Sequence, residues 1–182
     1  MKHKGLSILL LIILLFPSCV STHGPDPVYL TDEKTFYLLP PEASGDAVDS
    51  YQLIAFETPG HESASFEAIV VSDDAGIDME FFTSSGQTVA SISFDGDTVS
   101  FSSPFVKALK AEYIIADLQL LLYEEKSLET ALDASGLSFS VISGHRYLYD
   151  GDRLIWEAWI EEGVTYVVNH LRSYSYGIEV LG

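Results

Sequence analysis

From Tyr51 to the C-terminus the chain is cut at short intervals by turn residues: Asp74-Ala75-Gly76, Ser85-Gly86, Asp95-Gly96, Asp150-Gly151 and Glu162-Gly163. Asp-Gly and related pairs supply the positive φ values that tight hairpins require. The stretches between them are rich in Val, Ile, Phe, Tyr, Trp and Thr, which reads as strand bounded by turn. The pattern predicts strands over residues 52–57, 65–71, 77–83, 88–94 and 98–101, and, after a central break, 137–142, 154–161, 164–170 and 176–181. Strands joined this closely must pair antiparallel, as a meander. A hydrophobic content of 47% is enough to give such a sheet a real core.

The alternation shows how that sheet faces its surroundings. Ile77, Met79 and Phe81 alternate with Asp78 and Glu80, and Ala90, Ile92 and Phe94 alternate with Ser91 and Ser93. One face is therefore apolar and the other wet. The last strands differ: Leu154 to Ile160 and Tyr166-Val167-Val168 are apolar on both faces, so they are expected to be covered on both sides or to line an enclosed space. The central break is helical, with Ile114, Ile115, Leu118, Leu121 and Leu122 at helical spacing. Pro104 is expected to open that segment. A second short helix is expected around Ser127 to Thr130, stopped by Ser135-Gly136. The apolar stripe of the helices needs a surface, and the apolar face of the sheet offers one.

Ahead of this domain the chain has a basic start at Lys2, His3 and Lys4, then an apolar run from Leu6 to Phe16, then Pro17-Ser18-Cys19. This is the layout of a secretion signal. The run is about 11 residues, against roughly 20 needed to span a bilayer. The Ser18-Cys19 end resembles the lipobox of bacterial lipoproteins, in which the chain is cut before a cysteine whose sulfur carries diacylglycerol. Cys19 is the only cysteine of the chain, so an exported thiol here has no intramolecular disulfide partner. The expected organisation is a signal peptide over 1–18, a lipidated Cys19 with a flexible tether over 19–34, and one domain over 35–182. Residues 20–50 are rich in Pro, Asp, Ser, Thr and Gly, and 35–39 is a candidate first short element. A net charge of −18 repels nucleic acid and anionic headgroups, and loss of Lys2 and Lys4 deepens it. Membrane attachment is therefore expected from the anchor alone.

Catalytic and metal chemistry find little support. There is no HExxH, no paired histidine and no Cys/His cluster, so no metal site and no cofactor are expected. Asp73-Asp74 and Asp95-Gly96-Asp97 lack EF-hand spacing and read as turn chemistry. Ser143-Gly144-His145 holds residue types of a triad, but neighbours in sequence do not make triad geometry, and a G-x-S-x-G elbow is missing. No enzyme is expected. What remains is apolar. Phe66, Met79, Phe81, Ile92, Phe94, Trp156, Val168 and Ile178 project to one side in this strand phase, and Ile115, Leu118 and Leu122 face them from the helix. These residues either fill an ordinary core or line a ligand cavity. Sequence leaves both open.

Phe94-Asp-Gly-Asp-Thr-Val99, the helix Ala116-Asp-Leu-Gln-Leu-Leu-Leu-Tyr123, the run Arg146-Tyr-Leu-Tyr-Asp-Gly151, Trp156 and Tyr174-Ser-Tyr-Gly-Ile-Glu179 together resemble a family of bacterial lipoproteins known as DUF3261. That family in turn looks like LolB, the outer-membrane lipoprotein that receives lipoproteins from a periplasmic carrier. The resemblance implies a mainly β (α+β) fold: an incomplete antiparallel β-barrel of about nine to eleven strands, with helices plugging the concave side around an apolar cavity. It implies a lipid or acylated ligand, a periplasmic carrier or transport partner, and residence at the outer membrane, with export of aryl-polyene-type lipids by analogy. LolB carries an exposed Pro-Leu-Gly loop; the matching turn here, Ser84-Ser-Gly-Gln87, has no apolar tip. Binding is thus implied more firmly than insertion of cargo into a membrane. The competing reading is a non-catalytic assembly lipoprotein with a filled core, docking a protein partner through its acidic surface.

Overall fold

A computed structural model of the chain describes residues 27–57, 60, 63–104 and 110–182. The expected signal peptide, Cys19 and most of the expected tether lie outside those residues. Ten strands form one antiparallel sheet: β3 (Val48–Glu57), β4 (Ala64–Asp73), β5 (Gly76–Phe82), β6 (Thr88–Phe94), β7 (Val99–Ser102), β8 (Ser138–Ile142), β9 (His145–Asp150), β10 (Arg153–Glu161), β11 (Val164–Asn169) and β12 (Tyr174–Val180). A separate hairpin, β1 (Val28–Tyr29) and β2 (Thr35–Phe36), precedes them. The sheet order is β7-β6-β5-β4-β3-β12-β11-β10-β9-β8. Two consecutive meanders are thus stitched together where the last strand pairs with β3. Ile178 sits opposite Ile54 at that seam.

The turns follow the residues that mark them. Ser143-Gly144 and Glu162-Gly163 both have positive φ at both positions (52° and 83°, 52° and 87°), as a type I′ hairpin requires. At Gly76, φ is +146° and an added Cβ would lie 2.1 Å from the Phe94 carbonyl oxygen, so only glycine fits where β5 starts against β6. Asp95 accepts from the Asp97 and Thr98 amides at 3.0 and 2.8 Å, and these backbone donors hold its carboxyl below the usual range. Asp73 caps its own turn through the Ala75 amide at 2.8 Å. The acidic turn pairs therefore bond backbone, as expected of turn chemistry.

The sheet is not a closed barrel. Its edges are β7 and β8, and two helices sit between them: α1 (Ala111–Leu122) packs along β7 and α2 (Glu125–Asp133) along β8. This is the mainly β, incomplete barrel with helices on its inner face that the sequence implied, and its ten-stranded sheet lies within the expected count. Helix α1 begins at Ala111, after Lys110; residues 105–109, which separate it from the expected opening at Pro104, lie outside the described residues. Gly136, at φ +71°, ends the α2 region as its position suggested. At the other end of α1, Arg146 on β9 donates to the carbonyls of Leu120 and Tyr123 at 2.8 and 3.0 Å. A half-buried cation there satisfies two orphan carbonyls and opposes the negative end of the helix dipole.

Three expectations change. Strand β9 is missing from the strands read from residue pattern, since His145-Arg-Tyr-Leu-Tyr-Asp150 has no β-branched residue, although the run from Arg146 fits the closing strands that the family resemblance implies. Part of the stretch expected as tether packs with the domain: Val28 and Leu30 are buried, as are Phe36 and Leu38 just after it. This segment lies across α1, where the fully buried Gln119 side chain donates to the Leu39 carbonyl (2.8 Å) and accepts from its amide (2.9 Å). Lys34 joins it to the sheet through Asp150 at 2.5 Å. Covering both sides of α1 explains why that helix is apolar nearly all round. Finally, β10 and β11 are covered on one side only among the described residues. On the outer face Trp159 stacks on Tyr166 (5.4 Å) and on His145 (6.3 Å), the side chains shielding one another instead of being overlaid.

Candidate functional site

Because α1 is buried on two sides, it presents two stripes. Ile115, Ala116, Gln119 and Leu120 are buried against the N-terminal segment and the β8–β10 half of the sheet. The other stripe, Lys110, Tyr113, Ile114, Asp117, Leu118 and Leu121, runs at i, i+3, i+4, i+7, i+8 and i+11 and faces a cavity of about 420 Å³. The helix therefore divides the inner space into a filled half and a hollow half.

The wall opposite α1 follows from strand register. Ile54 and Phe56 on β3 lie beside Ile178 and Tyr176 on β12, and Ile54 lies beside Phe66 on β4. Met79 and Phe81 on β5 extend the wall, with Ala90 on β6 opposite Phe81. A register shift at Phe81/Phe82 leaves Val89 without a direct partner, so Val89 and Ala90 both border the hollow. Small Ala90 leaves room where a larger side chain would fill it. The volume falls within the roughly 300–1,000 Å³ of small-molecule sites and is near three times the ~150 Å³ that holds a benzene ring. Phe56, Phe66, Ile114 and Leu121 are only half-buried, so the space communicates with solvent.

One end is polar. The Tyr174 hydroxyl donates to Asp117 Oδ2 at 2.5 Å and accepts from Asn169 Nδ2 at 3.2 Å. Asp117 is 7% exposed, and desolvation pushes its carboxyl up to about 6 despite Tyr174, Arg172, Trp156 and Tyr176, which favour its charged form. The Trp156 indole N–H stands near this carboxyl without a formal hydrogen bond. Burial raises the Tyr174 and Tyr176 hydroxyls well above the ordinary tyrosine range, with the Asp117 charge adding to it. At the rim, the Arg172 guanidinium lies 4.0 Å from the Tyr113 ring centre, and Lys110 Nζ lies 5.4 Å from it. Arg172 also donates to the Tyr29 carbonyl, tying the N-terminal segment to the mouth of the cavity.

Five of the expected cavity residues border the hollow: Phe66, Met79, Phe81, Leu118 and Ile178. The others do not. Ile92, Phe94 and Trp156 point inward but are packed solid, at 1% exposure each. Ile115 and Leu122 lie off the cavity stripe, since a helix apolar all round does not show which stripe meets the void. Val168 is on the outer face, opposite Glu157 and Ser175, while Val167 takes the inner position; an unbroken apolar run carries no phase. Sequence reasoning missed the polar end altogether. Tyr174 and Tyr176 alternate into the cavity with Ile178, and Asp117, unlike Glu112 in the first turn, stands amid the apolar residues of its helix, which is the signal that marks it. The described histidines, His145 and His170, bond Tyr147 and Glu157 away from the cavity. Among the described residues no three His, Cys, Asp or Glu side chains converge as metal ligands, and no helix is long and apolar enough to cross a membrane.

Comparison with known proteins adds a family. Residues 49–181 match the family described as "Protein of unknown function (DUF3261)". Among curated proteins none matches. Solved structures that resemble the fold include a LolA superfamily protein from Nitrosomonas europaea, with 10% identity, 79% of this chain and 88% of that chain covered, and a TM-score of 0.42. A putative outer membrane lipoprotein-sorting protein domain from Vibrio parahaemolyticus gives 9% identity, 76% and 84% coverage, and a TM-score of 0.42.

Proposed function

The chain belongs to the DUF3261 family, and from that premise we propose that it is an exported, membrane-anchored lipoprotein that binds the alkyl portion of a lipid or acylated ligand. One observation carries this reading: the inner face of the sheet is not filled by its helices, and the unfilled part is walled by Ile54, Phe66, Met79, Phe81, Leu118 and Ile178. An unfilled apolar space of this size costs stability, and an alkyl chain occupying it would offset that cost. Alkyl surface moved into it from water gains about 25 cal/mol per Å². No covalent step is needed, and the polar groups at one end serve to orient a head group. The anchor on Cys19 would hold the domain at a membrane facing the periplasm, the outer membrane being favoured because Val20 follows the cysteine in place of an Asp. A role in moving lipids or lipoproteins toward that membrane, with a periplasmic carrier as partner, fits this arrangement.

The test is chemical extraction. The protein is purified from its native membrane, stripped with organic solvent, and the extract compared with that of an unrelated lipoprotein purified in parallel. The reading expects one lipid species enriched in near-stoichiometric amount beyond the covalent anchor. Absence of enrichment, with a delipidated protein that also ignores fluorescent fatty acids, would favour the filled-core docking protein.

A further inference from the structure

The polar end of the cavity is specific enough to name a head-group class. Resting on the reading above, we propose that the cavity selects amphiphiles whose head donates a hydrogen bond, an alcohol or a protonated amine, with the Asp117 carboxylate as acceptor, and discriminates against carboxylate and phosphate heads. Asp117 borders the hollow and is almost wholly buried, yet it forms no ion pair among the described residues. Among the described residues its close hydrogen bond comes from Tyr174, onto Oδ2, with the Tyr176 hydroxyl and the Trp156 indole N–H nearby. An ionised carboxylate accepts at both oxygens, with about four lone-pair sites, so capacity remains for a donor entering from the cavity. Such a bond would be charge-assisted and strengthened by the apolar walls.

An anionic head in the same place meets the opposite condition. Like charges a few ångströms apart in a poorly solvated space repel strongly. Nearby cations do not reverse this. Lys110 stands seven residues before Asp117, about 10 Å along the helix, and its exposed side chain extends at the rim. Arg172, at the rim, favours the charged form of Asp117 and is engaged by the Tyr113 ring and the Tyr29 carbonyl, and its side chain is not among those that line the hollow. The tyrosine hydroxyls complete the end as groups that can donate or accept, which suits a hydroxyl head.

The experiment is a competition at pH 7.5 on the full chain, using three dodecyl amphiphiles (dodecanol, dodecylamine and dodecanoate) to displace the uncharged dye N-phenyl-1-naphthylamine. The expected result is displacement by the alcohol and the amine at concentrations lower than dodecanoate by about tenfold or more, the ratio that 1.4 kcal/mol produces. Asp117→Asn should abolish the advantage of the amine and improve dodecanoate. Lys126→Gln, at an exposed position on α2 away from the cavity, should leave the ranking unchanged, and Lys110→Gln at the rim should not selectively weaken dodecanoate. Dodecanoate binding as well as the alcohol, or selective loss of dodecanoate in Lys110→Gln, would overturn the proposal while leaving an alkyl-binding cavity in place. Failure of the dye and all three ligands to bind would overturn both. If Asp117→Asn does not fold, the ranking in the wild type and in Lys110→Gln decides alone.

Discussion

Tyr174 and Asp117 meet at 2.5 Å, joining the strand that closes the sheet to the helix that plugs it. The pair is buried, so its protonation is coupled to folding. Asp117 has a folded-state value pushed up to about 6 from an ordinary 3.8. The folded chain therefore binds this proton more tightly than the unfolded chain, and stability from this group rises as pH falls from 7 toward 4, by up to about 3 kcal/mol. The groups facing it are Tyr174 and Tyr176 on β12, Arg172 beyond β11 and Trp156 on β10. Urea denaturation at pH 4.5, 6 and 7.5 checks this: the difference in unfolding free energy between wild type and Asp117→Asn should shrink as pH rises, or change sign. A difference that does not vary with pH would refute it.

Two alanines on either side of Phe81 should respond oppositely to enlargement. Ala90 borders the hollow, whereas Ala68 on β4 is fully buried in packed core. Ala90→Leu should leave thermal stability unchanged or raise it, since the added carbons enter free space. Ala68→Leu should cost about 1–3 kcal/mol through overpacking. Equal losses in both would mean that the hollow is closed in solution.

Gln119 and Leu39 form a reciprocal pair that fixes the N-terminal segment over α1. Gln119→Leu should destabilise the fold by about 1–3 kcal/mol, because both backbone groups of Leu39 lose a buried partner. Hydrogen exchange at the Leu39 amide should accelerate well beyond the rest of the domain. Uniform acceleration across the sheet would instead indicate a general packing defect.

How much of this was legible beforehand differs by region. In the 77–94 hairpin, Ile77 to Phe81 and Ala90 to Phe94 alternate apolar and polar and Gly86 marks the turn, so strands and faces followed from the residues, whereas the register shift at Phe81/Phe82 did not. The same logic failed at Val168, where Tyr166-Val167-Val168 offers no alternation, and at β9, whose Tyr-Leu-Tyr core lacks the β-branched residues that mark a strand. The early start of the fold at Val28 was hidden because Pro25 and Pro27 give that stretch the composition of a linker. Of the cavity, the strand wall at Phe66, Met79 and Phe81 was readable, and so was Leu118. Which stripe of α1 faces the void was not, since it depends on the N-terminal segment covering the other side. The hollow itself depends on volumes left over after packing, and no periodic pattern encodes that.

The proposed Cys19 anchor makes a separate prediction. In cells, the wild-type chain should incorporate labelled palmitate and fractionate with membranes, while Cys19→Ser should lose the label and be released from the membrane fraction. Labelling that persists in Cys19→Ser would place the modification elsewhere.

The central claim is that an alkyl chain occupies the space beside Ala90. Its most direct measurement is a titration of the delipidated chain with a fluorescent fatty alcohol, in parallel for wild type and Ala90→Phe, with circular dichroism to verify the fold. Saturable binding of about one ligand per chain in the wild type, weakened by about tenfold or more in the folded Ala90→Phe variant, is the predicted result. Equal affinity in the two proteins, or no saturable binding in either, would contradict it.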